Sequence, residues 1–307
     1  MSCLSPRSQR FNSDILLLLA AIVWGGGFVA QRQASVNLGF FSFNAVRFLL
    51  AGIVMLPFII PRIQKVNRSY LWILPAGVLL FGGSALQQAG IETTSAGSAG
   101  FITGVYVVLV PILLAVFWKI RTKPVIWLAT LAAIGGTYLL STGGKSFSPS
   151  TGDLIVLVGS LVWALHVIIV GLSVNKMDVF VFSTGQFLLC GLLHLGSSFF
   201  TTPPDLANIK LVLPSILYAG LGSIVIGFTL QAVGQKHAPA ADAALLLSLE
   251  AVFAALFGAL FLSERMNPIQ IIGCVIIMGA ILGAQLVTLR SQKQEVLSTT
   301  IGQKSSE

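Results

Sequence analysis

Phe40-Phe41-Ser42-Phe43-Asn44-Ala45-Val46-Arg47-Phe48-Leu49-Leu50-Ala51-Gly52 returns 139 positions later as Val179-Phe180-Val181-Phe182-Ser183-Thr184-Gly185-Gln186-Phe187-Leu188-Leu189-Cys190-Gly191. Working outward, Asp14 and Trp24 recur as Asp153 and Trp163 at the same displacement. Farther on the displacement becomes 144, which carries Leu86, Gln87, Gly90, Arg121, Pro124 and Gly135 onto Leu230, Gln231, Gly234, Arg265, Pro268 and Gly279. A single five-residue insertion between the two blocks accounts for the change. The chain is one unit written twice. Membrane bundles with such internal repeats often run a substrate path between them.

The composition puts the repeat in lipid. Of 307 residues, 55% are hydrophobic and 9% are charged, against about 25% charged in a soluble domain. The 31 glycines suit helices that approach one another closely. Cys3, Cys190 and Cys274 form no CxxC pair, so neither a disulfide framework nor a metal site is read from them. Net charge is +8, but the basic residues sit in short links between apolar runs, which argues for membrane topology and against nucleic acid. The first apolar run shares its Asp-to-Trp spacing with the interior of the chain. It is therefore expected to belong to the fold rather than to a cleaved signal peptide.

Ten runs approach the ~20 apolar residues that cross a hydrocarbon core. They cover roughly 14–33, 40–60, 71–90, 97–118 and 124–142, then 153–173, 179–200, 211–234, 240–262 and 268–289. The expected fold is an all-α integral membrane protein of ten transmembrane helices, because lipid offers the backbone no other partner. Residues 14–145 and 146–289 form the two repeats, with tails at 1–13 and 290–307. Thirteen Lys and Arg residues, among them Lys65, Lys119, Arg121 and Lys236, fall in links on the N-terminal side. Four (Arg32, Lys145, Lys210 and Arg265) fall on the other, and Arg47 lies within a span. That bias predicts a multi-pass protein of the cytoplasmic (inner) membrane with both termini in the cytoplasm. Five spans per repeat make the second copy upside down relative to the first, the arrangement that permits alternating access.

Three stretches now carry a resemblance. They are Trp24-Gly25-Gly26-Gly27-Phe28, Arg47-Phe48-Leu49-Leu50-Ala51-Gly52, and Ser248-Leu249-Glu250-Ala251-Val252-Phe253-Ala254-Ala255-Leu256-Phe257-Gly258, which continues to Phe261-Leu262-Ser263-Glu264-Arg265. In this order, with the five-plus-five repeat, the chain resembles EamA-type members of the drug/metabolite transporter superfamily over about residues 14–289. It departs at Ala251, where many relatives carry proline, and at Ile120, which stands opposite Glu264. The resemblance implies a small-solute carrier, commonly an exporter of amino acids or related metabolites.

Polar groups inside spans are expensive and are functional candidates by default. Glu250, about ten residues into the ninth span, reads as a substrate-binding or proton-coupling carboxyl, or as a carboxyl satisfied within the bundle. Arg47 meets a substrate carboxylate, pairs with an acid, or snorkels to the interface; one sequence does not decide whether it pairs with Glu250. Trp24 and Trp163 sit mid-span, away from the interfacial belts, and read as cavity walls or core. His166 and His194 relay protons or pack. Gln87, Gln88, Gln186, Gln231 and Asn44 bind solute or tie helices together. Asp14 and Asp153 are expected at helix N-termini, Pro75 and Pro111 at kinks, and Gly100–Gly104 and Gly279–Gly283 at close helix contacts. The last of these leaves homo-oligomerisation open.

No phosphate loop, HExxH or GxSxG pattern is present. The expected function is a secondary transporter moving a small organic metabolite such as an amino acid or related compound by alternating access, with export as the direction the resemblance implies. No cofactor is expected, and the partners are a small-molecule substrate and the lipid bilayer. The alternative is a membrane-embedded enzyme acting on a lipid.

Overall fold

The computed structural model describes residues 6–63, 68–146 and 150–304; Lys65 lies outside them. Among the described residues the regular structure is helical throughout: α1 (Pro6–Ala34), α2 (Phe40–Ile59), α3 (Ile73–Ile91), α4 (Ala96–Thr103), α5 (Tyr106–Phe117), α6 (Pro124–Thr142), α7 (Thr151–Ser173), α8 (Val179–Ser198), α9 (Leu206–Leu211), α10 (Leu213–Leu217), a π-helix (Tyr218–Phe228), α11 (Thr229–Gly234), α12 (Ala240–Leu247), α13 (Glu250–Phe261) and α14 (Pro268–Lys304). Among the described residues, eight helical stretches are long and apolar enough to span a bilayer, and two shorter apolar helices, Pro124–Leu140 and Pro268–Ala284, complete ten. The chain folds as two inverted five-helix repeats.

Glycine contacts display the relation between the repeats. Trp24 of α1 packs against Gly227, and its counterpart Trp163 packs against Gly83, the counterpart of Gly227. Leu188 sits on Gly52 and Leu49 on Gly191. Leu17 sits on Gly234 and Val156 on Gly90. In each case the partners are exchanged between halves, as a two-fold relation requires. At Gly52 and Gly227 even a methyl group would meet the neighbour inside van der Waals contact, so glycine is what lets the helices close.

The fourth and ninth spans are each broken at equivalent places. Val105 N–H turns to Ile102 O at 3.2 Å and Leu249 N–H to Leu246 O at 3.2 Å, so tight i to i+3 turns interrupt both helices. Pro111 lies inside α5, beyond the break, and Pro75 lies in the first turn of α3, where its missing N–H is no loss. The break in the fourth span thus comes before Pro111, at the tight turns, and not at the proline itself. Both broken spans also stop alike. Lys119 (φ 55°) and Ser263 (φ 56°) take the left-handed conformation. Ile120 N–H then reaches back to Leu114 O at 3.1 Å and Glu264 N–H to Gly258 O at 3.2 Å.

Two local expectations separate. Asp153 caps α7 in a reciprocal box with Ser150. Asp14 does not cap a helix, because α1 begins at Pro6; it accepts from Arg10 Nε at 3.0 Å instead. Gly100 packs on Ala254 within the chain, whereas Gly279 and Gly283 face open space.

Candidate functional site

Between the repeats lies a cavity of about 50 Å³. Its wall includes seven of the nine residues predicted for a site: Trp24, Arg47, Gln87, Trp163, His166, Gln231 and Glu250. Asn44 and Gln186 stand directly behind it. Asn44 Oδ1 accepts from Arg47 Nε at 2.8 Å while its Nδ2 donates to Ser84 O at 3.0 Å. Gln186 Oε1 lies 2.9 Å from His166 Nε2.

Arg47 is 4% exposed and does not snorkel. Its guanidinium lies 5.0 Å and 5.1 Å from the Phe43 and Phe48 ring centres, and Nη2 reaches Gln31 Oε1 at 3.5 Å. Among the described residues it forms no ion pair; the carboxylate bridges there run from Arg10 to Asp14 and Asp242. Arg47 and Glu250 are not paired. A buried cation held only by amides and rings is incompletely neutralised, and such a group favours an anion that can enter.

Glu250 opens α13 because the ninth span breaks just before it, so the carboxyl stands at a helix N-terminus. It is 4% exposed, and Oε1 has no hydrogen-bond partner. The Tyr106 hydroxyl lies beside this carboxyl, and it too lacks a partner in hydrogen-bonding geometry. Tyr106 is the 144-residue counterpart of Glu250, so the two repeats present equivalent side chains to each other. The same wall holds further unpartnered buried atoms: Trp163 Nε1, His166 Nδ1, and both amide atoms of Gln231. Buried polar groups are normally satisfied, and each left unpaired costs about 1–3 kcal/mol. Their concentration on one small cavity makes it the candidate site.

Aromatic rings shape the rest. Phe228, at the end of the π-helix, stands 4.7 Å from Trp24 and 5.9 Å from Trp163, centre to centre. Trp24 Nε1 donates to Ser223 O at 3.0 Å, and Gln87 Nε2 to Thr103 Oγ1 at 3.1 Å. His194 is elsewhere, stacked on Phe48 with Nε2 2.8 Å from Ser84 Oγ, as a packing histidine. Sequence reasoning missed Tyr106, Gln31, Phe28, Phe48 and Phe228. The repeat offset from Glu250 points to Tyr106, but Phe228 has no such signal, since its counterpart is Ser84.

Comparison with known proteins decides the family. The profile of the EamA-like transporter family matches residues 12–142 and again 150–285. The chain is a member of the EamA-like transporter family. An uncharacterized transporter of Archaeoglobus fulgidus is 30% identical over 92% of this chain and 87% of its own length. The threonine/homoserine exporter RhtA of Escherichia coli K12 is 26% identical, with 91% and 92% covered. The uncharacterized transporter YyaM of Bacillus subtilis is 28% identical, with 90% and 94% covered. A solved crystal structure 17% identical in sequence superposes with a TM-score of 0.74 over 91% of this chain and 98% of that one, which shows the fold. This EamA-family protein is thus a multi-pass membrane transporter and not an enzyme, which sets the lipid-enzyme alternative aside.

Proposed function

We propose that this EamA-family protein is a secondary exporter of a small zwitterionic metabolite, an amino acid or a close relative. It acts from the cytoplasmic membrane by alternating access. The observation that carries the substrate class is the pairing of opposites across one cavity. Arg47, with no acid of its own, binds the solute carboxylate; Glu250, with a free oxygen, binds the ammonium group. Gln231, Trp163 and His166 supply the remaining donors and acceptors, and Trp24 and Phe228 form the apolar wall. The likeness to a threonine/homoserine exporter supports both the class and the direction. The Lys and Arg bias supports placing the N-terminal face in the cytoplasm, and inverted repeats support rocking one half against the other around a fixed site.

The test is exchange flux in sealed proteoliposomes containing the purified chain. Labelled L-threonine, homoserine and a panel of small amino acids are offered, each alongside its amide and its deaminated acid. Saturable flux of at least one amino acid, with weaker flux of both analogues, is expected. No flux of any amino acid in the panel would sink the reading.

A further inference from the structure

The starts of the fourth and ninth spans are equivalent in backbone but not in chemistry. α4 begins at Ala96 and α12 at Ala240, 144 residues apart. A helix start presents N–H groups that need acceptors. At α4 the protein supplies them. Ser95 Oγ accepts from Ser98 N–H at 3.0 Å, and the Glu264 carboxylate, arriving from the end of the ninth span, sits against the N–H groups of Ala96 and Gly97. At α12 both acceptors are gone from the sequence. Pro239 occupies the place of Ser95, Ile120 the place of Glu264, and no side chain caps the helix.

That uncapped turn opens onto a vestibule of about 590 Å³ on the face that carries the N-terminus. Arg121, Lys123 and Lys236 stand in its wall. Asp242, in the first turn of α12, brings a negative charge, but Arg10 Nη2 holds it at 2.8 Å. Gln235 also lines the vestibule and is 3% exposed; its Nε2 donates to Val167 O at 2.9 Å and its Oε1 has no partner. Gln235 Nε2 and Ala240 border the same residue, Gly171, so the amide nitrogen of Gln235 stands near the start of α12.

We propose that the first turn of α12 is a carboxylate-binding subsite. There the solute's carboxylate takes the place that Glu264 holds at α4, and Gln235 Oε1 accepts from its ammonium group. The chain's own Glu264 is the precedent: its carboxylate lies beside Gly97 at the start of α4, where the positive end of a helix favours a negative group. The surrounding cations draw anionic groups toward it. The subsite deepens the transport reading, because it is where a zwitterion pauses before reaching the central cavity.

The experiment is equilibrium binding of labelled L-threonine to the full chain in nanodiscs, in an Arg47→Gln background that silences the central cavity. Threonine still binds, acetate displaces it, and threoninamide does not. Ile120→Glu, which supplies an internal carboxylate as in the other repeat, lowers affinity about tenfold or more, while Ile120→Gln retains it. Gln235→Leu, independent of any change at Ile120, weakens threonine several-fold and leaves acetate untouched. Absent binding in the Arg47→Gln background overturns the subsite. So does binding that survives Ile120→Glu, or that threoninamide displaces equally. If Arg47→Gln instead transports like the parent protein, the central-cavity reading falls while these binding results still judge the subsite.

Discussion

The two repeats share a backbone plan down to the same helix breaks and left-handed stops, yet they differ where side chains meet the cavity. Arg47 in the first repeat answers to Gln186 in the second, Tyr106 to Glu250, and Ser84 to Phe228. Duplication explains the architecture, and divergence at these pairs explains the chemistry. A symmetric pair of cations or carboxyls would repel in so small a space; one of each suits a solute that carries both charges.

The largest expected effect follows from that asymmetry. Arg47→Gln leaves a solute carboxylate without its cation, a loss of roughly 2–5 kcal/mol for a buried charge partner. Transport of a zwitterion should fall about 30-fold or more in proteoliposome flux. Swapping the repeat partners instead, with Gln186→Arg added to Arg47→Gln, should not restore it, because Gln186 stands behind the wall. Restoration would mean that the repeats are functionally interchangeable.

The shared backbone predicts matched packing costs. Gly83→Leu and Gly227→Leu each drive a side chain into a tryptophan of the other repeat. Overpacking of this kind costs about 1–3 kcal/mol, so both variants should lose similar thermal stability by size-exclusion after heating. A large loss at one with none at the other would break the two-fold relation. A smaller effect comes from Tyr106→Phe, which removes the hydroxyl beside Glu250. It should weaken solute affinity by about fivefold, the worth of one hydrogen bond, with folding unchanged.

The smallest effect concerns the start of α4, where the Glu264 carboxyl sits beside Gly97. Burial raises the pKa of Glu264 above the ordinary carboxyl value of 4.5, while the backbone N–H groups of Ala96 and Gly97 and the charge of Arg32 pull it down. Exposing the carboxyl to water returns it toward its ordinary value, so the packed arrangement at the α4 start holds the proton more tightly. Falling pH, from the raised value down to 4.5, therefore favours the packed arrangement. Thiol labelling of Ser98→Cys should slow modestly on going from about pH 7.5 to about pH 5, and Glu264→Gln should flatten the response. Faster labelling at low pH would contradict the sign.

Much of this was legible in the residues. Lipid leaves helices as the backbone's only solution, so apolar length gave the spans, and the 139 and 144 offsets gave the duplication. Polar side chains inside spans pointed to seven wall residues and two supports because burying them costs energy without a purpose. The sequence was silent where geometry depends on contacts between distant segments. Asp14 looked like a helix start because hydropathy changes there, yet the helix begins earlier and the aspartate serves Arg10. Pro111 looked like a kink, yet the break falls at Gly104–Val105, set by tight turns that no single residue announces. Phe228 is a wall residue only because the π-helix turns it between two tryptophans.

The most direct test pairs variant with analogue. Flux of L-threonine and threoninamide is compared in the parent protein, Arg47→Gln and Glu250→Gln. The account predicts that Arg47→Gln abolishes the preference for the free carboxylate, while Glu250→Gln abolishes the preference for threonine over its deaminated acid. If both variants keep the parent's preferences, the solute is not held between Arg47 and Glu250.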